Sequence, residues 1–383
     1  MAIMSFNMLA AVSSIWKPII SLLDWMNSGI GNFGWTVVVF TLLLRLLLMP
    51  FDIWQKISMR KQKAKMDLLR PQMEKLQKQY ANKPDILRQK QYELQKSAHI
   101  NMFASCLPMI FTLVIFALIF QGFREYIISA NEKIVSDIYN NVYVQFFIDN
   151  AQTITAETGK AVLDEAGQLA IVPSYSLIQD AGLVEQLNEA LVAGYQPQSW
   201  LWVKNVFMSD TFANVVPDYN NFISTGFGGI AATIPEVPGT SYNELMAPII
   251  SAYNKTKFFD IKHWNGYFVL PLLSILTSFF STMLQQKMQP MQAMTTGDEA
   301  QQKQQKMMNK IMTYMMPLVL GFFAIVYSAA FAIYYFTSNL FMTIVTLAFN
   351  LIVKKQDAKK AEQPLVATYA TPQKAVPKNN KKR

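Results

Sequence analysis

The stretch Phe33–Phe51, FGWTVVVFTLLLRLLLMPF, is an apolar run close to the ~20 residues that a helix needs to cross a bilayer, and it carries one charge, Arg45, with Thr41 a turn before it. An arginine inside a membrane costs roughly 2.5–3.5 kcal/mol near the bilayer centre, so it marks a functional site unless it reaches water. Arg45 lies five residues before Pro50. That is about 7.5 Å along a helix, so its head can also snorkel to the nearer interface. Position alone leaves both readings open.

The rest of the chain has the composition of an integral membrane protein: 52% of its 383 residues are hydrophobic and 15% charged, and the apolar ones come in blocks. The first crossing is expected at 33–53, the second at 101–123 and the third at 264–284. The run Ile311–Val353, 43 residues, is about twice the spanning length and reads as a hairpin of two further crossings, 311–330 and 331–353. The segments between them set the orientation. Residues 54–100 hold 12 basic and 4 acidic side chains, 285–310 hold 4 and 2, and 354–383 hold 9 and 2, so all three are expected in the cytoplasm. Residues 121–266, with 7 basic and 15 acidic, suit the external face. Five crossings with the C-terminus inside put the N-terminus outside. Residues 1–16 carry no Lys or Arg, so the charged opening of a signal peptide is not expected.

Within 1–32, Ser14–Met26 places Ile15, Trp16, Ile19, Leu22, Leu23 and Met26 at helical spacing and reads as a helix lying in the outer interface. Residues 54–100 are a basic helical hairpin. Met59, Met66, Leu69, Met73, Leu76 and Tyr80 recur at steps of three, four and seven among lysines and arginines; Ala81–Asp85 is the turn and Ile86–Lys96 the returning arm. The seam needs a partner surface, which a loop serving only to fix topology would not. On the third crossing Ser274, Thr277, Ser278 and Ser281 share one face, either bonded to neighbouring helices or lining a wet cavity. Tyr334, Tyr335, Thr337, Ser338 and Asn339 form a polar cluster on the fifth. The loop 285–310 is rich in methionine (Met288, Met291, Met294, Met307, Met308), suited to varied apolar partners, and the tail 354–383 reads as disordered and basic.

Taken together, GWTVVVFTLLLRLLLMPF, the hairpin MRKQKAKMDLLRPQMEKLQKQYANKPDILRQKQYELQK, CLPMIF opening the next crossing, WLWVKN at 200–205, NGYFVLPLLSILTSFFSTM at 265–283 and IYYFTSNL at 333–340 resemble the YidC/Oxa/Alb membrane protein insertases in their five-span form. The likeness covers roughly 33–123, 198–210 and 264–355. Departures are specific. Ala104-Ser105 stand where the family often has two glycines, Ser328-Ala329-Ala330-Phe331 where it often has Pro-Gly, and Arg124–His263 fills a place where five-span members usually have a short connection. That segment, 124–263, mixes an amphipathic stretch (Ile127–Asp149), a strand-prone piece (Gly167–Tyr175), a helix-like Leu177–Ala193 and Gly/Pro/Thr-rich turns around 225–241, and is expected to be a small external α+β domain.

The resemblance implies an all-α bundle of five transmembrane helices around a hydrophilic groove, open to the cytoplasm and closed outside. Arg45 corresponds to the family's groove arginine, and Thr41 and Tyr335 to positions that meet a passing substrate helix; the Ser274, Thr277, Ser278 and Ser281 face would add to the lining. The implied function is insertion and folding of nascent membrane proteins in the bacterial plasma membrane. The implied partners are the bilayer and its substrates, with the Sec translocon, the signal recognition particle pathway and the ribosome as candidates.

Other chemistry is not expected. There is no P-loop, and Gly226-Phe227-Gly228-Gly229 precedes no helix-plus-Lys pattern. The only histidines, His99 and His263, fall on opposite sides of the membrane in this topology, and no paired carboxylates occur inside a span. Neither an enzyme, nor a bound cofactor or metal, nor sequence-specific DNA binding is expected. Cys106, the single cysteine, excludes an intrachain disulfide. The rival reading, a small-solute transporter or channel, calls for inverted repeats and broken helices, and neither is visible in the sequence.

Overall fold

The computed structural model describes residues 2–81, 83–97, 103–257, 259–286, 303, 307 and 310–362. His99, the side chain of Cys106, Met288, Met291, Met294, Met308 and the tail from 363 lie outside them.

Helix α1 (Ala2–Ile30) stops at Gly31, whose φ of +75° is a left-handed conformation that glycine reaches without a Cβ clash. Asn32 then caps α2 (Phe33–Gln79), its Oδ1 accepting from the Trp35 N–H at 3.2 Å while its Nδ2 donates to the Ser199 carbonyl at 2.8 Å. Helix α2 is unbroken for 47 residues, through Pro50 and Pro71. The apolar run and the first arm of the basic hairpin are therefore one rod, about 70 Å long at ~1.5 Å per residue. Met59, Met66 and Met73 are buried along it at steps of seven, and the returning arm α3 (Pro84–Ser97) buries Leu87 and Gln91. Arg60 at the base of the hairpin pairs with Asp357 at 2.5 Å.

Helix α4 (Phe103–Ile138) runs well past its apolar block and continues through a π-helical turn at Tyr139–Tyr143 into α5 (Val144–Asp149). The amphipathic stretch 127–149 is thus an outward extension of the second apolar helix, with Ile127, Val135, Tyr143 and Phe147 on its buried face. Tyr126, beside Asp24 of α1, is pushed above its ordinary pKa by burial first and then by that carboxylate. Short helices α6 (Ala151–Thr158), α7 (Tyr175–Asp180), α8 (Val184–Gly194), α9 (Tyr219–Ile223) and α10 (Tyr242–Tyr253) complete the inserted segment around Ile154, Ile178, Leu187, Phe222 and Leu245.

The expected α+β character of this segment is corrected by the structure, which has no strand among the described residues. The strand-prone Gly167–Tyr175 yields one isolated antiparallel bridge, Leu163 with Leu169, across a turn at Gly167. No neighbouring strand extends it and Pro173 removes a donor, so two bridged residues are left without a ladder. The helix read over Leu177–Ala193 is broken in two at Gly182, φ +72°.

The chain closes with α11 (Val269–Gln286), a π turn at Ile311–Met315, α12 (Met316–Val326) and α13 (Ala329–Glu362). Helix α11 packs against α12 and α13, α2 against α13, and α1 against α2 and α4. A Cβ on Gly321 of α12 would stand 2.3 Å from Ile275 Cγ1, so only glycine permits the α11–α12 approach. Large apolar side chains point outward: Leu43 and Leu47 on α2, Leu276 and Phe280 on α11, Phe322 on α12, Ile344 and Leu351 on α13. By length and composition, residues 33–79 and 329–357 contain helices able to cross a membrane; 269–285 and 313–326 are shorter apolar helices.

Candidate functional site

Arg45 stands on the face of α2 that meets α13. Its Nε donates to Ser338 Oγ at 2.8 Å and its Nη2 reaches the same oxygen. Ser338 is buried and Arg45 half-buried. No carboxylate joins them: none of the ion pairs among the described residues involves Arg45. Seven and eleven positions further along α2, Asp52 and Lys56 are buried, and Asp52 Oδ2 has no hydrogen-bond partner. The three charged groups share a face because steps of seven and four return to the same side of a helix. Here α2 turns from an apolar rod into a basic one, with Arg45 bound by a neutral hydroxyl and three of its five N–H groups uncommitted among the described residues.

The other residues singled out in the sequence occupy an adjoining seam. Ser274 Oγ on α11 donates to the Ala332 carbonyl on α13 at 3.2 Å, and Ser278 Oγ lies 2.6 Å from the Tyr335 hydroxyl. Ser281 Oγ accepts from Gln285 Nε2 at 3.0 Å. All four hydroxyl-bearing side chains are buried. Thr41, buried on α2, donates to its own Val37 carbonyl at 2.6 Å, and the half-buried Thr277 donates to Leu273 O at 2.7 Å. The structure therefore joins Ser274, Ser278 and Tyr335 across α11–α13, leaves Thr41 and Thr277 bonded within their own helices, and gives Arg45 a partner outside the set, Ser338. Asp52 and Lys56 also fall outside it, although the 45–52–56 spacing is a legible signal.

At the other end of the helices, part of the inserted segment packs over the starts of α2, α11 and α13. Residues 200–203 make a tight turn, Trp200 N–H to Val203 O at 2.8 Å and the reverse bond at 2.9 Å, that lays Trp200 over Gly34 so closely that a Cβ there would sit 2.3 Å from the indole. Phe33 stacks on Tyr126 at 4.4 Å and meets Phe207 at 5.3 Å. The carbonyls of Val206 and Met208 accept from the N–H groups of Ala330 and Ala329 at 2.9 and 2.7 Å, satisfying the first turn of α13. The buried Asp210 does the same for α11, with Oδ1 accepting from Tyr267 N–H at 2.9 Å, and Oδ2 from Leu270 N–H at 2.7 Å and Trp202 Nε1 at 3.2 Å. Asn205 and Asn265 lock the two motifs together: Asn205 N–H donates to Asn265 Oδ1 at 2.8 Å, and Asn265 Nδ2 donates to Asn205 O at 3.0 Å.

Comparison with known proteins follows the same outline. The family described as 60Kd inner membrane protein matches residues 25–357 of this chain. Among curated proteins, the chain is 36% identical over 105 residues to "Membrane protein insertase YidC" of Caldanaerobacter subterraneus subsp. tengcongensis, covering 27% of this chain and 49% of that one. It is 38% identical over 100 residues to the protein of the same name from Roseobacter denitrificans, 26% of this chain and 16% of the relative. A third, from Fusobacterium nucleatum subsp. nucleatum, is 32% identical over 112 residues, 29% and 53%. The matches thus span from about a sixth to about half the length of these relatives.

Proposed function

The chain belongs to the 60Kd inner membrane protein family, and on that premise we propose that it is a membrane protein insertase and chaperone of the bacterial plasma membrane, acting on nascent membrane proteins. Support comes from relatives named membrane protein insertase and from the outward apolar surface of α2, α11, α12 and α13. In this reading the chain crosses the bilayer five times, with its N-terminus outside and its hairpin, methionine-rich loop and tail in the cytoplasm. The Sec translocon, the signal recognition particle pathway and the ribosome are its candidate partners on that basis.

The observation that carries the mechanism is an arginine held by a neutral hydroxyl: Arg45 leans on Ser338, no carboxylate among the described residues stands within ion-pair distance of it, and the buried Asp52 acts on it only at longer range along the same helix face. A nascent membrane protein must bring a short polar, often acidic, flank across a layer where each unpaired polar group costs several kcal/mol. A groove floored by Arg45 and hydrated from the cytoplasm shortens that layer, and the free N–H groups of the guanidinium pair with passing carboxylates. Ser274, Ser278, Ser281 and Tyr335, buried in the adjoining α11–α13 seam, brace its wall from behind, with Thr41 and Thr277 alongside. The substrate's apolar helix then leaves along α2 and α13 into lipid, driven by its own burial. The plug formed by residues 199–210 keeps the outer end shut.

Reconstitution in liposomes with a single-span substrate bearing an acidic outer tail tests this directly. Wild type inserts the substrate, and Arg45→Ala lowers insertion by about tenfold, the equivalent of one charge-assisted contact. Unchanged insertion with Arg45→Ala would overturn the groove mechanism, and no insertion by wild type would overturn the function.

A further inference from the structure

We propose that the cavity beside Arg124, where α4 passes the α12–α13 turn, binds the headgroup of an anionic phospholipid. The cavity measures about 160 Å³ and is walled by Phe120, Phe207, Gly228, Tyr327 and Phe331, with Arg124 its only charged lining residue. At ~30 Å³ per water it holds several waters or one phosphodiester. Arg124 Nε is buried there without a hydrogen bond, and none of the ion pairs among the described residues includes its guanidinium. Arg124 is half-buried, and an anion in the cavity would satisfy the stranded Nε donor and pair with the charge.

The walls say which anion. One charge among aromatic rings suits a singly charged amphiphile, and a phosphodiester offers two oxygens that match the guanidinium fork. Exposed apolar rings adjoin the cavity. Phe227, 76% exposed on the adjoining loop, holds its ring 6.2 Å from that of Phe322, 50% exposed on the outward face of α12. Gly228, at φ +80°, lets that loop turn against the Val326 carbonyl and close one side of the cavity. The inference rests on α4 and α12 crossing the bilayer as proposed above, but its readout needs no insertion activity.

The full-length protein is placed in nanodiscs of equal phosphatidylglycerol and phosphatidylcholine, and the lipid it retains is counted by native mass spectrometry. Wild type retains one phosphatidylglycerol; Arg124→Gln lowers that retention about tenfold; Arg124→Lys, which keeps the charge and loses the fork, retains an intermediate amount; Lys133→Gln, at an exposed cation on the same helix, leaves it unchanged. Ala213→Phe, which fills the cavity and keeps the charge, causes the same loss as Arg124→Gln and covers the case of a variant that does not fold. Equal retention of both lipids by wild type, or full retention by Arg124→Gln and Ala213→Phe, overturns the proposal. So would thermal stabilisation by excess inorganic phosphate in phosphatidylcholine discs equal to that given by phosphatidylglycerol, or capture of a substrate's acidic tail instead of lipid by a photo-crosslinker at Tyr327.

Discussion

Arg45 and Ser338, 293 positions apart, meet through the Nε–H and Oγ at 2.8 Å, a bond between a charged donor and a neutral acceptor in the seam of α2 and α13. A hydrogen bond to a charged group contributes about 1.5–3 kcal/mol, more than a neutral one. The two side chains should therefore be energetically coupled. In a double-mutant cycle of Arg45→Ala and Ser338→Ala followed by unfolding in detergent, the coupling is expected at about 1–3 kcal/mol. Strictly additive single effects would mean that the contact does not stabilise the α2–α13 seam.

Asp210 accepts three hydrogen bonds while fully buried, two of them from the first turn of α11 and its approach. Asp210→Ala strands those donors and should cost about 3 kcal/mol or more, since each unsatisfied buried group carries roughly 1–3 kcal/mol. Asp210→Asn keeps one acceptor oxygen and should lose less. Thermal unfolding of the purified protein separates the two, and equal losses would rule out the carboxylate as a cap.

Met66 is 2% exposed in the hairpin, 21 positions beyond Arg45 along the rod. Met66→Ala should cost roughly 2–5 kcal/mol of packing. The loss is expected to be local: hydrogen exchange quickens over residues 84–97 and stays unchanged in α11 and α13. Uniform quickening through the chain would show that hairpin and bundle unfold as one unit.

Gly321 allows α12 to approach Ile275 on α11, where a Cβ would come within 2.3 Å. Gly321→Val should push the helices apart and lower the unfolding midpoint, at a cost of about 1–3 kcal/mol for overpacking. A paired Ile275→Ala is expected to restore much of it. Failure of the second substitution to rescue the first would place the strain elsewhere.

Helical content was legible because long apolar blocks and steps of three, four and seven are strong signals over many residues. Met66 and Met73, read from such a step, are buried. Arg45 stood out because it is the lone charge in an apolar run. Its partner did not, since Ser338 is one of five polar residues between Tyr334 and Asn339 and periodicity cannot say which of them a helix 293 positions away will meet. The α+β expectation for 124–263 failed for a physical reason: a strand is a pairing, and Leu163 and Leu169 find only each other. WLWVKN stood out as a motif, but the helix it packs against was not legible, for another reason. The contacts of this segment to α13 come from the backbone carbonyls of Val206 and Met208, which carry no side-chain signature.

Those two carbonyls also tie the start of the last helix to a distant part of the chain. Ala329 and Ala330 begin α13 with N–H groups that find their acceptors about 120 positions earlier in the chain, in a segment synthesised before them. The first turn of α13, the helix that bears Ser338 and Tyr335, therefore has its protein acceptors only when the inserted segment is folded against it, so damage within 124–263 reaches the Arg45 seam through the backbone alone.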